Sequence, residues 1–403
     1  MKNFFWLGLG LIVVLASAPW VNSQKIETAN GVRIVHNEKS GKFGKNLPLA
    51  IKLVRNIGDV DTPDENLAFN YPDDTAMDAA GNIYILDSAN NRIQKFGPDA
   101  KFLATLGRKG QGPGEFYNPD SIDIDAQGNI WIMDGYQNRI QTLTPDGKGD
   151  KTIPLTDRFL RKLRVLKSGL LAVQAPLLYT SFADKDKLPK LIKLLDQEGK
   201  ARKEFADIFD FGDPVTSSMG NSCFYDVDRN DNFILSFRAQ NRVEKYSGDG
   251  KLLWKADRPL KYEMAVKKKG KMEQSGSGGV RGGTISAPEM NICSIGIAVD
   301  PMGRAWVVTY DRQLNKEEAV QTGMMMSMGR GGGGTTVSRT TKGNTELRTT
   351  NAFKLEVFDP AGVLLGEIPL THFVDGIRIC GDNLFLLDQV RGVTFYQYKI
   401  IEK

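Results

Sequence analysis

The chain contains two histidines, His36 and His372, so a zinc centre built from three imidazoles is excluded. Three cysteines stand at 223, 293 and 380, an odd count that leaves at least one thiol outside any disulfide. Cys223 and Cys293 each precede a predicted inner strand in successive repeats and could meet, but three buried, unpaired thiols are the expectation. The remaining groups with chemical reach are carboxylates. Asp73, Asp74, Asp120 and Asp375 fall near the starts of predicted strands, and oxygen donors gathered at such a place would suit calcium or magnesium. Nothing else in the sequence calls for a cofactor, and none is predicted. No Gly-x-Ser-x-Gly elbow or other nucleophile motif occurs. Met324, Met325, Met326 and Met328 offer the thioethers that Cu(I) favours, but no His or Cys adjoins them.

These residues are positioned by a repeat. Met77–Lys101 recurs without a gap as Ile124–Lys148, 47 residues on; Asp78, Gly81, Asn82, Ile83, Ile85, Asp87, Asn91, Arg92, Ile93 and Gln94 all find identical partners. A period of 40 to 50 residues marks a repeat architecture. Asn82–Leu86 alternates like a strand, Ala89-Asn90-Asn91 is turn chemistry, Arg92–Phe96 is a second strand and Gly97-Pro98-Asp99 turns again. A further copy begins at Val227, and weaker ones surround Lys167–Val173, Val299–Trp306 and Gly376–Lys399. Six copies of a four-stranded unit predict an all-β, six-bladed β-propeller. The last copy runs out after three strands, whereas Ile51–Gly58 resembles the outer strand of the first, Phe102–Gly107. The N-terminal strand is therefore expected to complete the C-terminal blade and close the ring, pairing Ile51–Asn56 with Val393–Lys399.

The pattern Asp-x-x-Gly-Asn-Ile-(aromatic)-Ile-x-Asp, followed by Asn-Arg-Ile and Pro-Asp-Gly-Lys, resembles the NHL repeat, and Gly107–Pro119 looks like a linker between NHL blades. The resemblance runs from about Ile51 to Lys403 and implies six blades. It implies no single activity, since propellers host enzymes, sensors and binding scaffolds. Lactonase-type propellers carry Gly-Glu-Gly-Pro at the first inner strand, where this chain has Asn70-Tyr71-Pro72-Asp73. The pairs Asp87/Arg92 and Asp134/Arg139, with Asn241-Arg242, recur at corresponding hairpins and read as structural; Tyr84, Trp131 and Trp306 share one position and read as packing between blades.

Residues 1–23 have a basic start, an apolar run from Phe4 to Ala16 and a small-residue end, the form of a secretory signal. Residues 24–50 form an N-terminal extension and 51–403 the ring. The expectation is an exported monomer, periplasmic or extracellular, without a transmembrane segment and without nucleic acid as a partner. Its large insertions all fall in links that open on one face, with low-complexity stretches near 257–291 and 311–351 whose Gly and Ser content gives them little to bury. Residues 255–290 carry net +4 and 311–350 net +2, so the chain's whole excess of +5 sits on that face. The sequence thus predicts a module that binds a protein, glycan or small molecule there. Asp73, Asp120, Arg161, Tyr225 and Asp375 are the candidates at the channel mouth, and Lys267, Lys268, Lys269 and Arg281 form the candidate basic rim. The alternative is a divalent-metal-dependent hydrolase or lactonase with acidic ligands at the mouth.

Overall fold

A computed structural model describes residues 24–177, 188–275, 282–328 and 335–403. Blade one consists of Pro72–Met77, Ile83–Asp87, Arg92–Phe96 and Phe102–Leu106, paired antiparallel in chain order. Blades two, three and four repeat this order from Ser121, Arg161 and Cys223. Blade five is Ser294–Val299, Ala305–Tyr310, Phe353–Phe358 and Leu364–Pro369. Blade six takes Gly376–Cys380, Asn383–Asp388 and Thr394–Glu402 from the C-terminal end and its outer strand, Leu49–Ile57, from the N-terminal side. Ile51 lies opposite Ile400 and Asn56 opposite Tyr396, so the ring closes as the repeat phase requires.

Burial follows position within the blade. The second strands Ile83–Asp87, Ile130–Asp134, Phe233–Phe237 and Ala305–Tyr310 are buried at every residue because both faces meet a neighbouring blade. Outer strands such as Phe102–Leu106 are largely exposed. The Asp of the first turn is a local organiser. Asp78 accepts the Ala80 and Asn82 amides, the Asn82 side-chain amide and the Tyr84 hydroxyl, while Asp125 and Asp300 accept the indole N–H of Trp131 and Trp306. Gly81 and Gly128 lie at φ +82° and +84°, which explains glycine at that place in the motif. Asp87 and Asp134 each bind the following Arg and a linker amide, tying hairpin to linker as the repetition suggested. Tyr84, Trp131 and Trp306 are all buried between sheets.

Two regions hold more structure than the sequence states. The N-terminal extension is paired with the ring. Lys25–Ala29 and Val32–His36 form a hairpin that joins the outer strand of blade four, Leu252–Asp257, in parallel. The chain then crosses blade five, where Asn37 bonds Gly362 and Leu364 and the amides of Lys42 and Phe43 bond Leu364 and Leu365. The low-complexity insertions also contain paired strands: Lys271–Ser275 with Gly282–Ser286, and Gln321–Met328 with Thr335–Lys342. Their Thr, Val and Met content suits strands, and backbone pairing does not require a buried apolar face. Residues 276–281 and 329–334, with Arg281 among them, lie outside the described residues, as do 1–23. All three cysteines are unpaired. Among the described residues no helix is long and apolar enough to cross a membrane.

Candidate functional site

The six inner strands surround a channel whose waist is filled by charge. Just ahead of the first turn, blades two, three, four and six place Asp123, Arg164, Asp226 and Arg378 at one level, with Asp74, Ser121 and Lys162 one step higher. Arg164 Nε lies 2.9 Å from Asp226 Oδ1, and Arg378 Nη2 lies 2.6 Å from Asp123 Oδ1. Asp74 Oδ2 is 3.5 Å from both Lys162 Nζ and Arg164 Nη1 and accepts from the Ser121 hydroxyl at 2.8 Å. Backbone amides of adjoining blades complete the set: Val165 donates to Asp123 and Val299 to Asp226. Three acids face three bases, and blade is stitched to blade.

Above this waist opens a cleft of about 770 Å³. Asp73, Asp120, Arg161, Tyr225 and Asp375, the five mouth candidates, all line it. Asp73 and Asp375 frame the inner strands of blades one and six, Asp120 precedes that of blade two, Arg161 opens that of blade three and Tyr225 sits within that of blade four. The insertions roof it. Pro176 and Leu177 come from blade three and Ser218 and Met219 from the short helix Pro214–Gly220 in the blade three to four link. A side chamber of about 190 Å³ is lined by Tyr136, Thr322, Gly323 and Arg339 together with Asp73, Asp120 and Arg161. The blade-five hairpin reaches across blade six to blade one. Arg339 stacks on the Tyr71 ring at 4.8 Å and lies 3.9 Å from Asp73, while Thr341 bonds the Tyr71 hydroxyl.

The mouth charges are incompletely matched. Arg161 Nε is 3.7 Å from Asp120 Oδ2, and the Arg161 side chain is 55% exposed while that of Asp120 is 12% exposed. Asp120 Oδ1 is buried with no hydrogen-bond partner among the described residues. Burial, with Asp73 and Asp74 nearby and Arg161 opposing, pushes the Asp120 carboxyl up to about 8. Burial and the neighbouring Asp388 push Asp375 up to about 6, and burial also raises Asp73. Asp73 accepts from the Gln389 side chain, and Asp375 from the Gln389 backbone amide at 2.9 Å. Arg238 is exposed, lines the cleft and forms no ion pair among the described residues. Tyr225 differs from the rest: it is fully buried, and its hydroxyl, 2.8 Å from the Lys162 and Ala172 carbonyls, is taken up by backbone.

Lys267, Lys268 and Lys269 are exposed on the link between blades four and five, and none of them lines the cleft. Among the described residues no three His, Cys, Asp or Glu side chains converge closely enough to hold a metal ion. Asp120 and Asp73 instead lie 3.7 Å and 3.9 Å from Arg161 and Arg339, and Gln389 donates to Asp73 and Asp375. Sequence reasoning missed the waist network, Lys162 and Arg238. The signal was present: of the residues two ahead of the first turn, Ala76, Asp123, Arg164, Asp226, Ala298 and Arg378, four are charged, acid and base in turn, where an inner strand should be apolar.

A family model described as a 6-bladed beta-propeller, DUF5128, matches residues 49–243. No curated protein matches the chain by sequence. Among solved structures, a DUF4221 family member from Bacteroides vulgatus is similar at 10% identity and TM-score 0.53, over 88% of this chain and 99% of that one. A protein of Bacteroides fragilis whose given name calls it exported is similar at 11% identity and TM-score 0.52, over 92% of this chain and 99% of that one. At such identities the likeness is one of fold, and fold, family model and ring geometry agree: the protein is a six-bladed β-propeller.

Proposed function

We propose that the protein is an exported, NHL-like propeller whose channel mouth binds a small polar ligand bearing a carboxylate or similar anion. The observation that carries this reading is the cleft itself: about 770 Å³, lined by all five mouth candidates and walled by residues from the insertions. Its volume is in the range that accommodates small-molecule ligands. Arg161 supplies an exposed guanidinium, and Arg238 supplies another that forms no ion pair among the described residues. A protonated Asp120 adds a donor, and Leu177, Met219 and Ile295 form an apolar wall. A planar carboxylate matches a guanidinium in two-pronged geometry. Export draws support from the signal-like residues 1–23.

The test is calorimetric titration of the full mature chain with sugar acids, hydroxy acids and their neutral counterparts. Carboxylated ligands should bind, the neutral ones should not, and Arg161→Ala with Arg238→Ala should abolish binding. Equal binding of neutral and anionic members, or indifference to both arginines, would refute the reading.

A further inference from the structure

Lys162 is the unusual residue of the cleft. The pairing of Arg161–Val165 with Leu171–Gln174 runs Arg161 to Gln174 and then Leu163 to Val173, so Lys162 is the extra residue of a β-bulge. Its φ is +51°, a left-handed conformation that a lysine rarely adopts. Bulges of this kind re-aim side chains and gather beside active sites, and strained backbone persists where its surroundings enforce it. Here the enforcement is visible, because the carbonyl left over by the bulge accepts from the buried Tyr225 hydroxyl. The Lys162 side chain thereby reaches the floor of the cleft. Its one carboxylate neighbour within ion-pair distance among the described residues is Asp74 at 3.5 Å, which Ser121, the Thr75 amide and Arg164 already engage. Asp226 is a more distant counter-charge, and Arg164 is a like charge close by. Burial, reinforced by Arg164, lowers the Lys162 ammonium below the usual lysine range. Asp120, pushed up to about 8 by burial, lines the same cleft and exchanges its proton near neutral pH. An amine made available by burial and a cationic neighbour is the arrangement that activates lysines towards carbonyl compounds.

We propose that Lys162 captures a small oxo acid as an imine, with Arg161 holding the carboxylate of the ligand and Asp120 managing the proton. This rests on the reading of the mouth as a site for carboxylated ligands. In the first step the Lys162 ammonium releases one proton to the water of the cleft, and the freed nitrogen lone pair forms a bond to the carbonyl carbon. The carbonyl π pair moves to oxygen, which takes the Asp120 proton, and the nitrogen returns a proton to Asp120. In the second step the same carboxyl protonates the departing hydroxyl, water leaves, and the nitrogen loses its remaining proton to Asp120 as the C=N bond forms. Both amine protons leave in the water, the carbonyl oxygen becomes that water, and no oxidant or reductant is consumed.

The test is reductive trapping. The full mature chain is incubated with glyoxylate and sodium cyanoborohydride at neutral pH, then mapped by peptide mass spectrometry. Trapping should concentrate on Lys162, at a rate several-fold above any surface lysine. Lys162→Arg should remove that adduct and leave the others. Arg161→Ala and Asp120→Asn, which keep the lysine in place, should each slow trapping several-fold, which keeps the test valid should the lysine variant not fold. Glycolaldehyde, which lacks the carboxylate, should react more slowly than glyoxylate. Adducts spread evenly over surface lysines, or equal rates for the two aldehydes, would overturn the proposal. Glycolate, which has no carbonyl, separates the two readings. If glycolate binds by calorimetry but Lys162 is not trapped, the lysine chemistry fails and the binding site stands. If glycolate does not bind and Lys162 reacts equally with both aldehydes, both fail.

Discussion

The waist and the mouth of the channel are built from the same kinds of side chain, one or two steps apart along the same strands, yet they balance charge differently. At the waist, Asp74, Asp123 and Asp226 meet Lys162, Arg164 and Arg378 in equal number, and the acids' oxygens also take backbone amides or the Ser121 hydroxyl, although Arg378 Nε and Nη1 have no hydrogen-bond partner among the described residues. At the mouth, Arg161 and Arg339 stand 3.7 Å and 3.9 Å from their acids and Asp120 keeps an orphan oxygen. Removing either charge of a buried pair leaves the other uncompensated, so a matched network fixes shape. Shifted, incompletely paired groups in a cleft are what make the mouth the candidate site. Lys162 belongs to both levels, with its ammonium beside Asp74 and its side chain on the cleft floor.

The largest effect should come from breaking the waist. Asp226→Ala takes from Arg164 and Arg378 a carboxylate that both approach, and should cost about 3–5 kcal/mol of stability in urea unfolding. A cost below about 1 kcal/mol would mean that water already penetrates the waist. The mouth should behave oppositely. Arg161→Ala should change stability by no more than about 0.5 kcal/mol while weakening carboxylate binding by about tenfold or more, equivalent to about 1.4 kcal/mol. A stability loss as large as that of Asp226→Ala would erase the distinction between the regions.

A pH series tests both levels. Asp120 and Asp375 at the mouth have folded-state values of about 8 and about 6, and burial also raises Asp123 at the waist to about 6, all above the ordinary carboxylate range. The folded state therefore holds their protons more tightly than the unfolded chain does, so their ionisation opposes folding. None of these carboxyls costs anything in strong acid. The penalty grows as pH rises through the ordinary carboxylate range and is complete above about 8. Melting temperature should fall by a few degrees between pH 5 and pH 9, and Asp120→Asn should flatten the upper half of that slope. An unchanged slope in the variant would place the titration elsewhere. The smallest effect belongs to the rim. Reversing Lys267–Lys269 should leave stability and dissociation unchanged and slow association of an anionic ligand only at low salt, because exposed charges steer over a Debye length of about 8 Å at physiological strength. An altered dissociation rate in stopped-flow measurements would put these lysines in contact with the ligand.

Much of the ring was legible because its signals are local and repeated. Asp-x-x-Gly-Asn states a turn in a few residues, and the missing fourth strand of the last copy pointed to Ile51–Gly58, which overlaps the observed strand Leu49–Ile57. The five mouth residues were legible by phase alone, since counting from each turn to the start of its inner strand places them at one end of the channel. What was not legible depends on contacts between distant parts of the chain. Tyr225 is at the mouth by phase, but its hydroxyl is committed to the Lys162 carbonyl 63 residues away in sequence. The hairpin of residues 25–36 docks on blade four across more than 200 residues, and no motif in it names that partner. The insertions misled because low complexity speaks to apolar burial and says nothing of backbone pairing. Lys162 was hidden since one extra residue in a strand leaves the turn motifs on either side intact.

The N-terminal extension also constrains when the ring can form. It binds blade four through Val32–His36, runs along blade five through Asn37 and Lys42, and completes blade six through Leu49–Ile57. Each of these contacts joins the start of the chain to segments more than 200 residues later, and the closing pair Leu49 and Glu402 is separated by about 350 residues, among the longest-range and slowest kinds of pairing to establish. Blades one to three lie between the two and draw no strand from elsewhere, so they can assemble while the extension still waits for its partners. During synthesis, the strand that emerges early must remain unpaired until almost the whole polypeptide has followed it. The molecule therefore completes its fold by a late, concerted fastening of three blades. Refolding monitored by hydrogen exchange should protect blade one well before Leu49–Ile57 and the hairpin of residues 25–36, and simultaneous protection of all of them would remove this ordering.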